Sequence, residues 1–178
     1  DWNTAANTSR ITASNPCSEY MHLDDSACNL ASLNLLAFLA DPADGETHGF
    51  DVDDFCHAVE VVFTAQEILV GHADYPTPAI AETTRAFRQL GLGYANLGAV
   101  LMALGMPYDS EAGRSAASAI TSLMTGHAYL TSARMAEQLG PFDGFATNRG
   151  PTLAVLERHR AAAEMLDDCD PLDLVDAG

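Results

Sequence analysis

The sequence predicts an α/β fold that is mostly helical and contains few strands. Short apolar pieces broken by Gly, Asn, Asp and Pro fill residues 1–50, which is typical of loops and strands. From residue 51 onward, apolar residues recur at the spacing of amphipathic helices. With so few strands, the chain is not expected to close a sheet by itself.

The individual elements follow from apolar spacing and from helix start and stop signals. The apolar run Cys28–Leu36 is either a buried strand or the start of a helix, and residues 41–46, Asp-Pro-Ala-Asp-Gly-Glu, form a turn by their chemistry. Helices are predicted from Asp51 through Leu69, from Thr77 to Gln89 with Pro78 in the first turn, after Gly93 through Leu104, from Ser110 to Gly140, and from near Pro151 to Asp167.

The composition excludes two classes of partner. Asp and Glu number 25 against 8 basic residues, all of them Arg, and the net charge is −17. A nucleic-acid surface needs clustered positive charge, and a membrane span needs an apolar run of ~20 residues, so neither is predicted. The first residue is Asp1 and no leader is visible, so we expect a cytoplasmic fragment cut from a longer chain. The acidic, Lys-free composition indicates a coding bias or, alternatively, adaptation to high salt.

Four cysteines, Cys17, Cys28, Cys56 and Cys169, stand without CxxC spacing. Structural zinc and thiol–disulfide oxidoreductases both use close cysteine pairs, so neither is expected. The six histidines show no ligand spacing either, and no metal site is predicted. Cys56 lies in an amphipathic helix and is expected in the core, whereas Cys169 lies in an acidic tail.

Asn15, Cys17 and Glu19 alternate along the chain. Pro16 biases its predecessor towards an extended conformation, in which alternate residues share one face, so amide, thiol and carboxylate should line one surface. A nucleophilic thiolate would be opposed by Glu19, and His22 has no partner with which to act as a base. A neutral thiol that gives up a hydrogen atom, beside a carboxylate that acts as general base, suits this triplet better.

The stretch Ser14–Leu35 contains Asn-x-Cys-x-Glu and then Cys-Asn-Leu-Ala-Ser-Leu-Asn-Leu. It resembles the active-site loop of ribonucleotide reductase catalytic subunits. The Pro-Cys-Ser-Glu-Tyr-Met core, residues 90–102 and Pro-Tyr-Asp-Ser at residues 107–110 are similar to the adenosylcobalamin-dependent class II enzymes. The resemblance implies an internal fragment of the ten-stranded α/β barrel of these reductases.

The resemblance also implies a role for each matching residue. Cys17 matches the thiyl-radical cysteine that removes the 3′ hydrogen of the ribose, and Glu19 matches the base that takes the 3′-hydroxyl proton. Asn15, with Ser14 beside it, matches the substrate-binding position. Cys28 matches one of two cysteines that supply reducing equivalents as a redox-active disulfide, and its partner would lie upstream of this chain.

The implied activity is the reduction of ribonucleotides to 2′-deoxyribonucleotides by a ribonucleoside-diphosphate reductase. Adenosylcobalamin (vitamin B12) would generate the radical. The implied partners are a ribonucleotide substrate, a thioredoxin-type reductant and a deoxynucleotide effector bound elsewhere in the full protein. The isolated fragment would be inactive. Two alternatives are a class I-type large subunit, whose radical comes from a separate metal-containing subunit, and a non-catalytic helical interaction module.

The domain organisation implied by the resemblance is one incomplete barrel domain. Residues 1–40 would supply the active-site loop and a strand, residues 51–166 mainly helices, and residues 167–178 an acidic tail.

Three further features have structural interpretations. His22 is interpreted as a tolerated surface change, Gly91 and Gly93 as close packing at a helix entrance, and Asp24 with Asp25 as a turn or helix cap.

Overall fold

The computed structural model describes residues 2–40 and 49–166, which form four short strands and five α-helices. The predicted turn at residues 41–46, the acidic tail 167–178, His48 and Cys169 lie outside the described residues. The strands are β1 (Asn29–Asn34), β2 (Leu39–Ala40), β3 (Gly49–Phe50) and β4 (Leu90–Ala95). The helices are α1 (Val52–His72), α2 (Pro78–Phe87), α3 (Leu97–Ala103), α4 (Glu111–Leu139) and α5 (Phe145–Ala163).

The central pairing joins β1 and β4 in parallel, with Asn29 opposite Leu90 and Asn34 opposite Ala95. Parallel strands need a long crossover, and α1 and α2 provide it. Strands β2 and β3 form a separate antiparallel pair. The run Cys28–Leu36 is therefore mainly a strand. Within the described residues, the expectation of a mostly helical α/β piece that does not close a sheet is confirmed.

Three helices begin where the sequence predicts, because a side chain caps each start. A capping oxygen accepts from the backbone N–H three residues ahead, which satisfies a donor that has no partner inside the helix. The distances are 2.9 Å from Asp54 N to Asp51, 3.3 Å from Ile80 N to Thr77 and 3.0 Å from Gly113 N to Ser110. The predicted bounds of α1, α2 and α4 are confirmed to within a few residues.

The helix predicted after Gly93 through Leu104 is wrong in its first part. Residues 90–95 form strand β4, and the helix begins only at Leu97. Asn96, between them, has a left-handed backbone with φ of 69°. Large residues alternate with small ones in this segment, at Leu90, Leu92 and Tyr94. This local pattern is compatible with a helix or a strand, and the strand forms because it pairs with β1.

The last helix begins at Phe145, six residues before the predicted start at Pro151. A proline inside a helix leaves the carbonyl four residues earlier without its N–H partner. Here that carbonyl belongs to Thr147, and it accepts a hydrogen bond of 2.8 Å from Nδ2 of Asn7. The buried Asn148 strengthens the same contact, since its Oδ1 accepts from the Asn7 N–H at 3.0 Å. A partner 140 residues away in sequence thus lets the helix pass through Pro151.

The core lies where the strands, α1, α3 and α4 meet. Its centre is a group of three aromatic rings, in which Phe55 contacts Phe38 and Phe50 edge to face at centroid distances of 5.1 and 5.3 Å. The buried members of the core are Leu33, Leu35, Phe50, Phe55, Val59, Val100, Ile120 and Met124. Burial of the apolar face of α1 therefore anchors the crossover between the two parallel strands.

Replacing Phe55 by Ala should lower the free energy of unfolding by about 3–5 kcal/mol, because Phe55 is fully buried and its loss leaves a cavity. Urea denaturation followed by circular dichroism measures the change. The matched control is Tyr108→Ala, which truncates an exposed aromatic and should change stability by no more than about 0.5 kcal/mol. Equal effects of the two substitutions would contradict this description of the core.

Candidate active site

The segment that carries Asn15, Cys17 and Glu19 is a tight turn. The N–H of Ser18 donates to the carbonyl of Asn15 at 3.0 Å, and Ser18 has a positive φ of 66°. Asn15 and Tyr20 close the loop through two hydrogen bonds: Asn15 N–H donates to the Tyr20 carbonyl at 3.2 Å, and Tyr20 N–H donates to Asn15 Oδ1 at 3.0 Å. The predicted extended geometry is therefore wrong, because Pro16 takes the first central turn position, where its fixed φ is favoured.

The turn leaves its reactive side chains open to the surroundings. Cys17 and Glu19 are both exposed, and Cys17 is a free thiol. Ser14 is also exposed, and its hydroxyl donates to the Asn15 carbonyl at 2.9 Å and lies 3.2 Å from Ser18 Oγ. A thiol, a carboxylate and a hydroxyl thus surround one short turn that a ligand can approach.

The second thiol of the predicted site, Cys28, lies just before β1 and is partly buried. Burial, and then the negative charge of Glu19, raise the pKa of Cys28 to about 11. Burial also raises the pKa of Tyr20, which the hydrogen bond to Ser26 lowers in part and the charge of Cys28 raises further. The structure therefore brings Glu19, Tyr20 and Cys28 into one electrostatic environment, although Cys17 and Cys28 share no bond.

Cys28 packs closely against strand β4. Its Sγ donates to the Asn29 carbonyl at 3.7 Å, and a Cβ added at Gly91 would lie 3.1 Å from the same sulfur. The same Cβ would collide with the side chain of Leu30. The expected close packing is confirmed at Gly91 but not at Gly93, where an added Cβ would lie 3.8 Å from Ser32 Oγ. Both glycines lie inside a strand and not at a helix entrance.

Gln66 of α1 contacts both strands beside Cys28, and the sequence reasoning missed it. Its Nε2 donates to the carbonyls of Asn29 and Gly91 at 2.9 and 2.8 Å, and Asn29 Nδ2 donates to the Gln66 carbonyl at 3.0 Å. Gln66 is 3% exposed. The sequence did contain a signal for this contact, because Gln66 is a polar residue on the same face of α1 as the apolar Val59 and Val70, and a buried polar side chain needs hydrogen-bond partners.

His22 is not a surface residue, as the sequence suggested, but is 6% exposed. Its ring lies 6.0 Å from that of Tyr20 and 5.5 Å from that of Phe87. Neither ring nitrogen has a hydrogen-bond partner among the described residues. Burial lowers the pKa of His22 to about 4, because the charged imidazolium would lose its water without gaining a partner.

Two smaller predictions concern the surroundings of the site. Asp25 has a positive φ of 50° and Asp24 accepts from the hydroxyl of Thr12, so the pair forms a turn, as predicted. Cys56 is only partly buried, at the edge of the core and not within it, because it lies one position beyond the buried face that Phe55 marks.

Residues 2–40 and 49–166 contain no group of three His, Cys, Asp or Glu side chains that could hold a metal ion. No helix in this part of the chain has the length and apolar character that crossing a membrane requires.

Comparison with protein families gives a match over nearly the whole chain. The family model described as the ribonucleotide reductase barrel domain matches residues 1–167. This span contains the turn, both thiols of the predicted site and all the described helices and strands.

Curated relatives share this region as part of much longer chains. The vitamin B12-dependent ribonucleotide reductase of Streptomyces coelicolor is 55% identical over 172 residues, which cover 95% of this chain and 18% of that protein. The protein of the same name in Rhodopirellula baltica is 49% identical over 99% of this chain and 16% of its own length. A vitamin B12-dependent ribonucleoside-diphosphate reductase of Mycobacterium tuberculosis is 36% identical over 79% of this chain.

The buried imidazole should make stability depend on pH. Unfolded His22 binds a proton below pH 6.5, whereas the folded protein binds it only below about 4, so acid favours the unfolded state between these values. From pH 7 to pH 4, the wild type should lose about 1–3 kcal/mol of unfolding free energy relative to His22→Phe. Urea denaturation at several pH values measures this difference. The control variant is His57→Phe, at an exposed position, and its unfolding free energy should vary with pH as that of the wild type does. If the unfolding free energy of His22→Phe also varies with pH as that of the wild type does, the burial of His22 is refuted.

Proposed function

The chain belongs to the ribonucleotide reductase barrel-domain family, and on this premise we propose that its parent protein reduces ribonucleotides to 2′-deoxyribonucleotides by a thiyl-radical mechanism dependent on adenosylcobalamin. The relatives named as vitamin B12-dependent enzymes support the choice of cofactor. The chain spans about a fifth of the length of those relatives, with 18% of the Streptomyces coelicolor protein covered. The proposed activity therefore belongs to the parent protein, and the isolated chain is proposed to be inactive.

One observation carries the proposal. A single turn presents an exposed thiol, Cys17, and an exposed carboxylate, Glu19, and the charge of that carboxylate reaches a second, partly buried thiol, Cys28. Asn15 stands at the base of the same turn. These groups support a reaction that needs a hydrogen-abstracting thiol, a base and a reducing thiol near one ribose.

The turn suits an external radical generator. Cys17 is free and exposed at the tip, so its S–H hydrogen is open to a reactive group held by other parts of the parent protein. When bound by the parent protein, adenosylcobalamin would supply the radical chemistry that removes the S–H hydrogen of Cys17. Cys17 is the residue of this chain that would face that group, and we propose no cofactor ligand among the other described residues.

The proposed roles balance in atoms and electrons. The Cys17 thiyl radical takes the 3′ hydrogen of the ribose and becomes a thiol, while Glu19 accepts the 3′-hydroxyl proton. One thiol of the pair formed by Cys28 and a second cysteine outside this chain protonates the 2′-hydroxyl, which leaves as water. The pair then delivers a hydrogen atom to the 2′ carbon and one further electron to the 3′ position, and it becomes a disulfide. Glu19 returns its proton to the 3′ oxygen, and Cys17 returns the 3′ hydrogen and regains its radical. In sum, the C–O bond at the 2′ carbon is replaced by a C–H bond, two thiols become one disulfide, and the 2′-hydroxyl oxygen leaves in one molecule of water.

The environment of Cys28 supports its part in this scheme. A pKa of about 11 keeps it as a neutral thiol at neutral pH, which stores both the proton and the electron that it must supply. Re-reduction of its disulfide is proposed to use a thioredoxin-type dithiol by thiol–disulfide exchange. These substrate and reductant pools are cytoplasmic, and we propose the same location for the parent protein.

Two other functions have weaker support. In a class I-type large subunit, the radical would come from a separate metal-containing subunit, and the names of the relatives argue against this. A non-catalytic interaction module would have no use for the intact set of Asn15, Cys17, Glu19 and Cys28.

The complete parent protein should convert ribonucleotide to deoxyribonucleotide with a dithiol reductant only when adenosylcobalamin is added. Cys17→Ser should reduce turnover to background, because serine cannot form the corresponding radical. Glu19→Gln should lower kcat by about 10²–10⁴-fold, the range of a lost general base. The product is quantified by chromatography.

The matched control for this assay is Cys56→Ser, which removes a thiol at the edge of the core and should leave turnover near the wild-type value. Turnover without cobalamin would favour the class I-type alternative. Full activity of Cys17→Ser would refute the proposed mechanism.

A further inference from the structure

Gln66 is held in place beside Cys28 by three hydrogen bonds that cross between elements. Two run from its Nε2 to the carbonyls of Asn29 and Gly91, at 2.9 and 2.8 Å, and the third runs from Asn29 Nδ2 to the Gln66 carbonyl at 3.0 Å. Asn29 follows Cys28 directly, and Gly91 is the residue whose bare Cα lets the Cys28 sulfur approach β4. One buried amide therefore fixes the backbone on both sides of the thiol.

The Asn29 carbonyl connects the amide and the thiol. It accepts from Gln66 Nε2 at 2.9 Å and from the Cys28 thiol at 3.7 Å. A carbonyl held by a strong donor keeps its orientation, and so it keeps the direction in which the S–H group points. The thiol is thus oriented through an atom that Gln66 holds.

A buried glutamine at this position is not explained by packing alone. Gln66 Oε1 is buried and has no hydrogen-bond partner among the described residues. An unpaired buried acceptor destabilises the folded state, and a methionine of similar volume would avoid that cost. The two donated hydrogen bonds are the property of glutamine that methionine lacks.

We propose that Gln66 is a positioning residue for the Cys28 thiol, acting through the carbonyls of Asn29 and Gly91. This inference rests on the proposed function for its biological meaning, since a thiol that must meet a partner cysteine and a reductant needs a fixed direction. Gln66 itself touches neither substrate nor cofactor in this proposal.

The test uses the complete parent protein and measures alkylation of individual thiols by iodoacetamide at pH 8. Chymotryptic peptides separate Cys17 from Cys28, since Tyr20 and Leu23 lie between them. Gln66→Met should raise the alkylation rate of Cys28 by about tenfold, as expected when hydrogen bonds of ordinary strength are lost. The rates of Cys17 and Cys56 should stay at their wild-type values.

Two further variants keep the outcome decisive. Gln66→Asn retains the amide but is one methylene too short to reach both carbonyls, so it should also raise the alkylation rate of Cys28. Gln138→Met makes the same replacement as Gln66→Met at an exposed position of α4, and it should leave the alkylation rate of every thiol unchanged. An unchanged Cys28 rate in both Gln66 variants would overturn the proposal, and so would an equal rise at Cys28 and Cys56, which indicates general loosening.

Failure of the proposed function is seen separately. If the parent protein with Cys28→Ser still turns over with a dithiol reductant, Cys28 takes no part in the reaction and its proposed redox role is refuted. The alkylation result does not depend on turnover, so it would still show whether Gln66 positions the thiol.

Discussion

The parallel pairing of β1 with β4 is the constraint on which the rest of the structure depends. Its register sets Leu30 opposite Gly91, and this places the thiol of Cys28 against a residue without a side chain. The pairing also requires a long crossover, and α1 and α2 provide it while α1 covers the strands. A shift of the register by one residue would bring side chains to the opposite faces and move Gly91 away from the thiol.

The site combines a rigid part and an exposed part. Cys28 lies just before β1, and its neighbours Asn29 and Gly91 are held by hydrogen bonds from the buried Gln66 of α1. Cys17 lies in a turn whose shape comes from Pro16 and from the side chain of Asn15. The difference suits their proposed roles, because the S–H hydrogen of Cys17 must be reached by a group held elsewhere in the parent protein, whereas partial burial keeps the Cys28 thiol protonated.

Much of this arrangement could be predicted from the sequence, and the failures have physical reasons. The starts of α1, α2 and α4 depend on local caps at Asp51, Thr77 and Ser110, which single residues reveal. Strand β4 and the early start of α5 depend on partners far along the chain, so local spacing gives no sign of them. The turn at Asn15 was missed because alternation predicts a shared face only when the backbone is extended. The burial of His22 depends on Phe87, a residue of α2 that periodicity cannot place beside it.

The hydrogen bonds between Asn7 and the first turns of α5 have a consequence for biosynthesis. The segment that leads into the turn is anchored by a helix that begins more than 130 residues later, so the anchor does not exist while the ribosome is still making α1 to α4. Contacts of such large sequence separation form late and slowly. The turn that carries Cys17 is therefore translated before α5, and the segment that leads into it lacks this anchor until α5 has also been translated.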